Sequence, residues 1–355
     1  MDPSHAPLPL SLFDYPLPEA LIAHRPLPDR DASRMMVLAA NADPEHRRFI
    51  DLPDLLREGD LLVLNTTRVL KARVYGVLDT GGRVELLFCR PVEGEIATAT
   101  CWWALAMPAR KLYEGRLLHV EGFGPLRVVK RQDDEIAIEA DKPILELLQS
   151  HGTLPLPPYI HRDTVADAAD DERYQTVFAN TEGAVAAPTA SLHFTEAMLA
   201  ELRARGVQTA SLVLHVGPGT FLPVRKDCAD DIRAHHMHAE FYEIPAETWE
   251  AVQRTRAAGG RVIAVGTTVM RALESAAKSG ETQGASRLFI YPGFTFEMVD
   301  AMITNFHLPK STLLMLVAAF AGRDRIMAAY QEAFENQYRF FSYGDAMWVE
   351  KHHAI

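Results

Sequence analysis

Cysteine is scarce in this chain: Cys89, Cys101 and Cys228 are the only three in 355 residues, far apart and with no CxxC pair. That excludes a disulfide framework and a cysteine-built zinc site, and it suits a reducing, cytoplasmic setting. Long apolar runs are missing too. The longest, Leu313 to Ala321, is too short to span a bilayer, so no membrane partner is expected. The opening MDPSHAPLPL lacks a basic segment followed by an apolar one, so no secretory signal is expected. Basic residues are outnumbered, 36 Lys and Arg against 47 Asp and Glu, for a net charge of −11. That balance argues against a uniformly basic nucleic-acid binder and leaves room only for a local basic face. Repeats and low-complexity tracts are absent.

What is present is core-forming material: 48% hydrophobic residues and 23% charged. The length suits one very large domain or two ordinary ones. The texture changes near Arg73. From Val74 to Glu139 short alternating runs such as Val84-Glu85-Leu86-Leu87-Phe88 and Trp102 to Met107 are separated by Gly and Pro, which predicts a small barrel or sandwich. A helix follows, with Asp141 as expected N-cap and Gly152 past its end. From Tyr174 the texture is α/β. Helices are expected from Thr195, over Pro245 to Ala258 and over Thr267 to Ser279. Strands are expected over Val207 to Val216, Val262 to Val265, Phe289 to Tyr291 and Ala301 to Phe306. Val63 to Asn65, upstream of the β-rich stretch, also reads as a buried strand. The reading is therefore an α/β domain with a mixed sheet, formed by 1–73 and 154–355, carrying an inserted small β-barrel over 74–153.

Seven segments have the residue types of a site; one of them is FFSYGDAMWV, where Ser342, Tyr343 and Asp345 around Gly344 make a polar turn near the end of the fold or simply a docked C-terminal strand. In TNFHLPKST, from Thr304, the polar Asn305, His307 and Lys310 stand between a strand and a helix start, where backbone N–H groups attract anions. In RVIAVGTTVMRALES a buried strand, Gly266 and the threonines Thr267 and Thr268 make either an anion- or nucleoside-binding turn or an ordinary strand–helix connection, with Arg271 one helical turn on. In LHVGPGTFLPV, His215 precedes Gly217, Pro218, Gly219 and Thr220, which form a close backbone approach to a ligand or simply a tight turn. In AHHMHAEF, His236, His238 and Glu240 share a face if the segment is a strand, and His235 and His238 do if it is a helix; no second ligand set completes a shell, so no metal is expected. NTTRVLKAR and GAVAAPTASLHF read as further site loops or as close packing against the protein itself.

Taken together these segments resemble the S-adenosylmethionine:tRNA ribosyltransferase-isomerases of queuosine biosynthesis. The matching stretches run from Phe13 to Val349 and include FDYPLPEALIAHRPLPDRDASRMMVL, GDLLVLNTTRVLKARVYG, LPPYI, FIYPGF and YRFFSYGDAMWV besides the segments above. The chain departs from the family pattern at Thr66, Lys71 and Lys310. The resemblance implies transfer of the ribosyl part of S-adenosylmethionine to 7-aminomethyl-7-deazaguanine at the wobble position of tRNA, with loss of adenine and methionine. S-adenosylmethionine would be a consumed cosubstrate with no permanent cofactor, and a metal is unnecessary because the sulfonium already activates the adjacent carbon. Such chemistry needs a base and an acid, for which His215, His238, Glu240 and His307 are candidates. Gly217, Gly219, Thr220, Gly266, Thr267, Thr268 and Asn305 are candidates for holding the donor, with Arg271 facing its carboxylate. Arg68, Arg73, Arg110, Lys111, Arg127, Lys130 and Arg131 are candidates for tRNA contacts, in a chain expected to be monomeric. A conventional methyltransferase and a non-catalytic RNA-binding protein built on a barrel are the competing classes.

Overall fold

The computed structural model describes residues 7–160, 168–217, 219 and 224–352. The chain opens with β1 (Arg34–Leu38), β2 (Glu45–Arg48) and β3 (Leu61–Asn65), followed by the short β4 (Thr67–Val69). Six strands come next: β5 (Arg73–Leu78), β6 (Arg83–Pro91), β7 (Cys101–Met107), β8 (Leu117–Val120), β9 (Gly124–Gln132) and β10 (Glu135–Ala140). Helix α1 (Ile144–His151), helix α2 (Ala168–Arg173), β11 (Thr181–Ala184), α3 (Glu196–Ala204) and β12 (Gln208–Leu214) follow. The last stretch holds β13 (Glu240–Glu243), α4 (Ala246–Ala257), β14 (Val262–Val265), α5 (Thr267–Ser279), β15 (Gln283–Ser286) and β16 (Ala301–Asn305). Helices α6 (Thr312–Ala321) and α7 (Arg323–Glu335) and strand β17 (Ala346–Glu350) complete it.

Nine strands form one mixed sheet in the order β15-β13-β12-β3-β14-β16-β17-β1-β2. Its centre, β12, β3, β14 and β16, is parallel, so both faces are covered and the strands are apolar almost throughout. Alternation then divides each strand between two cores. Leu61 and Val63 pack with Leu212, Leu214, Val262 and Ala264 under α5, α6 and α7. Leu62 and Leu64 pack with Ile263, Val265 and Ile303 under α3. Each such side chain, when fully buried, contributes about 1.5–3 kcal/mol.

The second body is a closed barrel in the order β10-β7-β6-β5-β8-β9. Val74, Leu86, Trp102, Leu118, Val128 and Ile138 fill it, and α1 packs Ile144, Leu147 and Leu148, at i, i+3 and i+4, against that core. Two expectations fail locally. Asp141 does not cap α1: the cap position is Pro143, and the Ile144 N–H donates to the Ala99 carbonyl at 3.0 Å, so the barrel satisfies the helix end. Phe289 to Tyr291 form no strand, because the neighbouring strand position is taken by Gln283–Ser286 while Phe289 and Tyr291 pack their rings together, centroids 5.2 Å apart. Among the described residues no helix is long and apolar enough to cross a membrane.

Candidate functional site

The carboxyl ends of the parallel strands bring the sequence segments together. Strand β3 ends at Asn65, β12 leads on to His215 and Val216, β14 ends at Val265 just before Gly266, and β16 ends at Asn305 ahead of His307. A cavity of about 280 Å³ opens there, lined by Val216, Gly266 to Thr268, Thr304 to Leu308 and the small residues Ala186 to Ala190. Its volume is close to the lower end of ligand sites, roughly 300 Å³. Tyr159 and Phe341, stacked with centroids 4.5 Å apart, form an aromatic wall with Tyr174 and Ser342.

Local chemistry explains the polar side of the cavity. Gly266 sits at φ +91, a conformation that side-chain-bearing residues rarely adopt, and it begins α5 without a side-chain cap. The first turn of this 13-residue helix therefore presents unpaired N–H groups beside Thr267 and Thr268. Thr268 Oγ1 accepts from Asn65 Nδ2 at 3.3 Å. Asn65 is fully buried and also bonds the Leu214 carbonyl and N–H and the Thr67 N–H, locking the ends of β3 and β12 together. Asn305 donates from Nδ2 to the Phe341 carbonyl at 2.8 Å. Behind it lies His193, whose Nδ1 is 2.8 Å from Ser33 Oγ and whose ring stacks on Phe49. Burial pushes His193 down to about 4.

The four candidate acid–base residues separate. His307 lines the cavity, with Nε2 2.8 Å from Thr304 Oγ1, and burial pushes its imidazole down to about 3, so it stands there as a neutral ring. His215 does not line the cavity. Val216 does, and the alternation of an extended chain turns His215 to the other side, where Nδ1 meets Thr67 Oγ1 at 2.8 Å. Burial pushes it down to about 4. Its ring is pressed on Gly183, where an added Cβ would stand 2.5 Å from His215 Cε1. Gly183→Ala is therefore expected to displace the imidazole, lowering stability by about 1–3 kcal/mol as overpacking does. Urea unfolding alongside the turnover rate checks this; unchanged values for both would show that the ring has room to move.

Glu240 is buried, with one carboxylate oxygen accepting from the Gly217 N–H at 2.9 Å and the other held by Arg271. This corrects the expectation that Arg271 faces the donor's carboxylate. Arg271 starts one turn after Thr267, but its guanidinium reaches Glu240 and the Leu288 carbonyl, where it offsets a charge that burial would otherwise penalise. His238 is exposed beside Gly219, outside the cavity lining. The strand reading of His236, His238 and Glu240 fails because β13 begins only at Glu240. Thr220 and Pro218 lie outside the described residues. Among the described residues no group of three or more His, Cys, Asp or Glu is placed to hold a metal ion. Lys310, at φ +59, pairs with Asp14 at 2.7 Å and does not line the cavity.

Of the basic candidates, Arg68, Arg110, Lys111, Arg127, Lys130 and Arg131 are exposed. Arg131 donates to the Ala109 and Leu112 carbonyls and so stands against the turn that carries Arg110 and Lys111. Lys130 lies 5.9 Å from the Trp103 ring centroid on the outer barrel wall. Arg73 differs: it pairs with Glu85 at 2.9 Å and donates to the Leu156 carbonyl, so its charge is already matched.

Sequence reasoning missed Asn65 and His193 as organisers, and Tyr159 and Tyr174 as cavity wall. Asn65 carries a local signal, a polar residue closing the apolar run LLVLN, and His193 lies in the segment GAVAAPTASLHF read above as a site loop or close packing.

The family described as "Queuosine biosynthesis protein" matches residues 10–349. An S-adenosylmethionine:tRNA ribosyltransferase-isomerase of Anaeromyxobacter sp. (strain Fw109-5) is 50% identical over 349 residues, 96% of this chain and 99% of that protein. One of Azoarcus sp. (strain BH72) is 51% identical over 354 residues, 98% of this chain and 99% of that protein. The crystal structure of an S-adenosylmethionine tRNA ribosyltransferase from Thermotoga maritima is 37% identical, with a TM-score of 0.54 over 96% of this chain and all of that one.

Proposed function

The chain belongs to the S-adenosylmethionine:tRNA ribosyltransferase-isomerase family, and from that premise we propose that the cavity holds S-adenosylmethionine while the tRNA wobble nucleotide meets it at the same sheet edge. The enzyme transfers and isomerises the ribosyl part of S-adenosylmethionine onto the aminomethyl group of 7-aminomethyl-7-deazaguanine, giving epoxyqueuosine in tRNA and releasing adenine and methionine.

The observation that supports this placement is the cavity itself. It combines an aromatic wall, small residues that admit a flat group, and the open start of α5, which favours the negative end of a ligand. His215 is the best-prepared base. It is neutral, oriented by Thr67 and gripped by Gly183, and no bond among the described residues occupies its Nε2. His307, neutral and bonded to Thr304, acts as a polar wall rather than a cation. The exposed Arg68 and the barrel cations Arg110, Lys111, Arg127, Lys130 and Arg131 are the proposed phosphate contacts. We read the 74–153 barrel as a unit devoted to that binding, in a monomeric cytoplasmic enzyme.

Product analysis tests the reading. Incubation with S-adenosylmethionine and tRNA bearing the deazaguanine precursor should release free adenine and methionine in equal amounts, and tRNA lacking the precursor should release neither. Methyl transfer without adenine would place the protein among methyltransferases, and tRNA binding without consumption of the donor would make it a binding protein.

A further inference from the structure

One exposed aromatic beside the site has no packing explanation. Phe241 lies on β13, where its neighbours Glu240 and Tyr242 are buried and it is 46% exposed. It stands directly across from His215, whose N–H donates to the Phe241 carbonyl at 3.0 Å. The two rings lie nearly parallel, 23° apart with centroids separated by 6.1 Å. On the other side Phe241 pairs with Ala285, which is small and exposed, so nothing rises above the ring from that strand. The surroundings carry both signs. Arg68 follows Thr67, the partner of His215, and Arg287 lies two residues beyond Ala285; both are exposed, as are Glu182 opposite Arg68 and Glu243 on the face of Phe241.

We propose that the His215–Phe241 ring pair is the platform on which the unstacked wobble base of the tRNA docks, at the same strand end as the donor cavity, which the next residue, Val216, lines. The inference rests on the tRNA-modifying reading given above. A base that undergoes chemistry must leave its stack, and proteins hold such bases on aromatic faces. The platform supplies a face of that kind outside the cavity proposed for the donor, with the Phe241 side chain 46% exposed. Docking on Phe241 sets the base beside His215, the residue proposed above as general base. An ordinary exposed phenylalanine would sit singly on the surface, without an oriented histidine ring alongside.

The test uses the full-length enzyme, S-adenosylmethionine and precursor-bearing tRNA. Base–aromatic stacking is worth about 1–3 kcal/mol. Phe241→Ala should therefore raise KM for tRNA by about tenfold or more while KM for S-adenosylmethionine stays within about twofold, and Phe241→Trp should restore the tRNA value. The Phe241→Trp fluorescence should be altered by an anticodon stem-loop carrying the wobble base and unaltered by one that is abasic there. Because the side chain is exposed, both variants should unfold at the wild-type urea concentration. An unchanged tRNA KM in Phe241→Ala, a rise confined to S-adenosylmethionine, or equal fluorescence responses to both stem-loops would overturn the platform. Each of those results leaves the family reaction standing so long as wild-type enzyme still releases adenine; failure of that release would instead remove the reading on which the platform rests.

Discussion

Replacing His215 with glutamine is expected to lower kcat by about 10²–10⁴-fold, the range that a positioned general base supplies. The expectation follows from position and charge state together. The ring is fixed by Thr67 and Gly183, and burial pushes its imidazole from the usual 6.5 down to about 4. The pH dependence then has a definite sign. A base works unprotonated, and a lowered pKa extends the unprotonated range toward acid. The rate limited by this step should stay flat from about pH 8 down to about pH 5.5, and fall as pH drops through about 4. An unperturbed histidine would already halve the rate near 6.5. The acid limb has to be read against folding, because His193 and His307 are also lowered, to about 4 and about 3. Unfolding lets all three take up protons at their ordinary pKa, so their contribution to stability is present above about 6.5 and is progressively lost as pH falls below it. Rates measured only where far-ultraviolet circular dichroism shows the native state separate the two effects. A His215→Gln enzyme with wild-type kcat would remove the base assignment.

Removing one member of the Glu240–Arg271 pair should be the most damaging single change to stability. Both residues are about 5% exposed, and Arg271→Met leaves a carboxylate buried with only the Gly217 N–H as its remaining hydrogen-bond partner among the described residues. Breaking a buried ion pair from one side costs about 3–5 kcal/mol, whereas replacing both charges together is often near neutral. The double variant Glu240→Gln with Arg271→Met should therefore regain most of the stability that Arg271→Met loses, as measured by urea unfolding at pH 7. A single variant within about 1 kcal/mol of wild type would mean that the pair is hydrated rather than buried. Activity need not return in the double variant, because Glu240 also holds the Gly217 N–H and so shapes the turn that follows His215.

Much of the architecture was legible one segment at a time. The change at Arg73 marks where β5 begins the barrel. Thr195 caps α3 by accepting from the Met198 N–H at 3.1 Å, and Ser311 caps α6 by accepting from Leu314 at 3.2 Å. The turn at Gly266, the helix Thr267–Ser279 and the buried strand Val262–Val265 all follow from rules that operate within a few residues. Alternation, capping and glycine's backbone freedom are near-neighbour physics, so they are written in near-neighbour sequence.

The site was legible as a set of segments and illegible as an arrangement. Gly266, Thr267, Thr268, Asn305 and His307 do meet in one cavity, because parallel strands place their carboxyl ends on one edge. Which way a residue turns at such an edge depends on where its strand stops, and that alone put Val216 in the cavity and His215 outside it. The partner of a long side chain is likewise settled by packing. Arg271 pairs with Glu240, 31 positions away, where both groups are buried and each offsets the other's charge. Asn65 bonds Leu214 across 149 positions and Ser33 meets His193 across 160, pairings that no periodicity encodes. The sequence by itself determined most of the central helices and strands, the β-rich unit that interrupts the sheet and the family resemblance. Tertiary structure alone decided which polar groups face one another, because those contacts arise only after distant strands have paired and the two cores have closed around them.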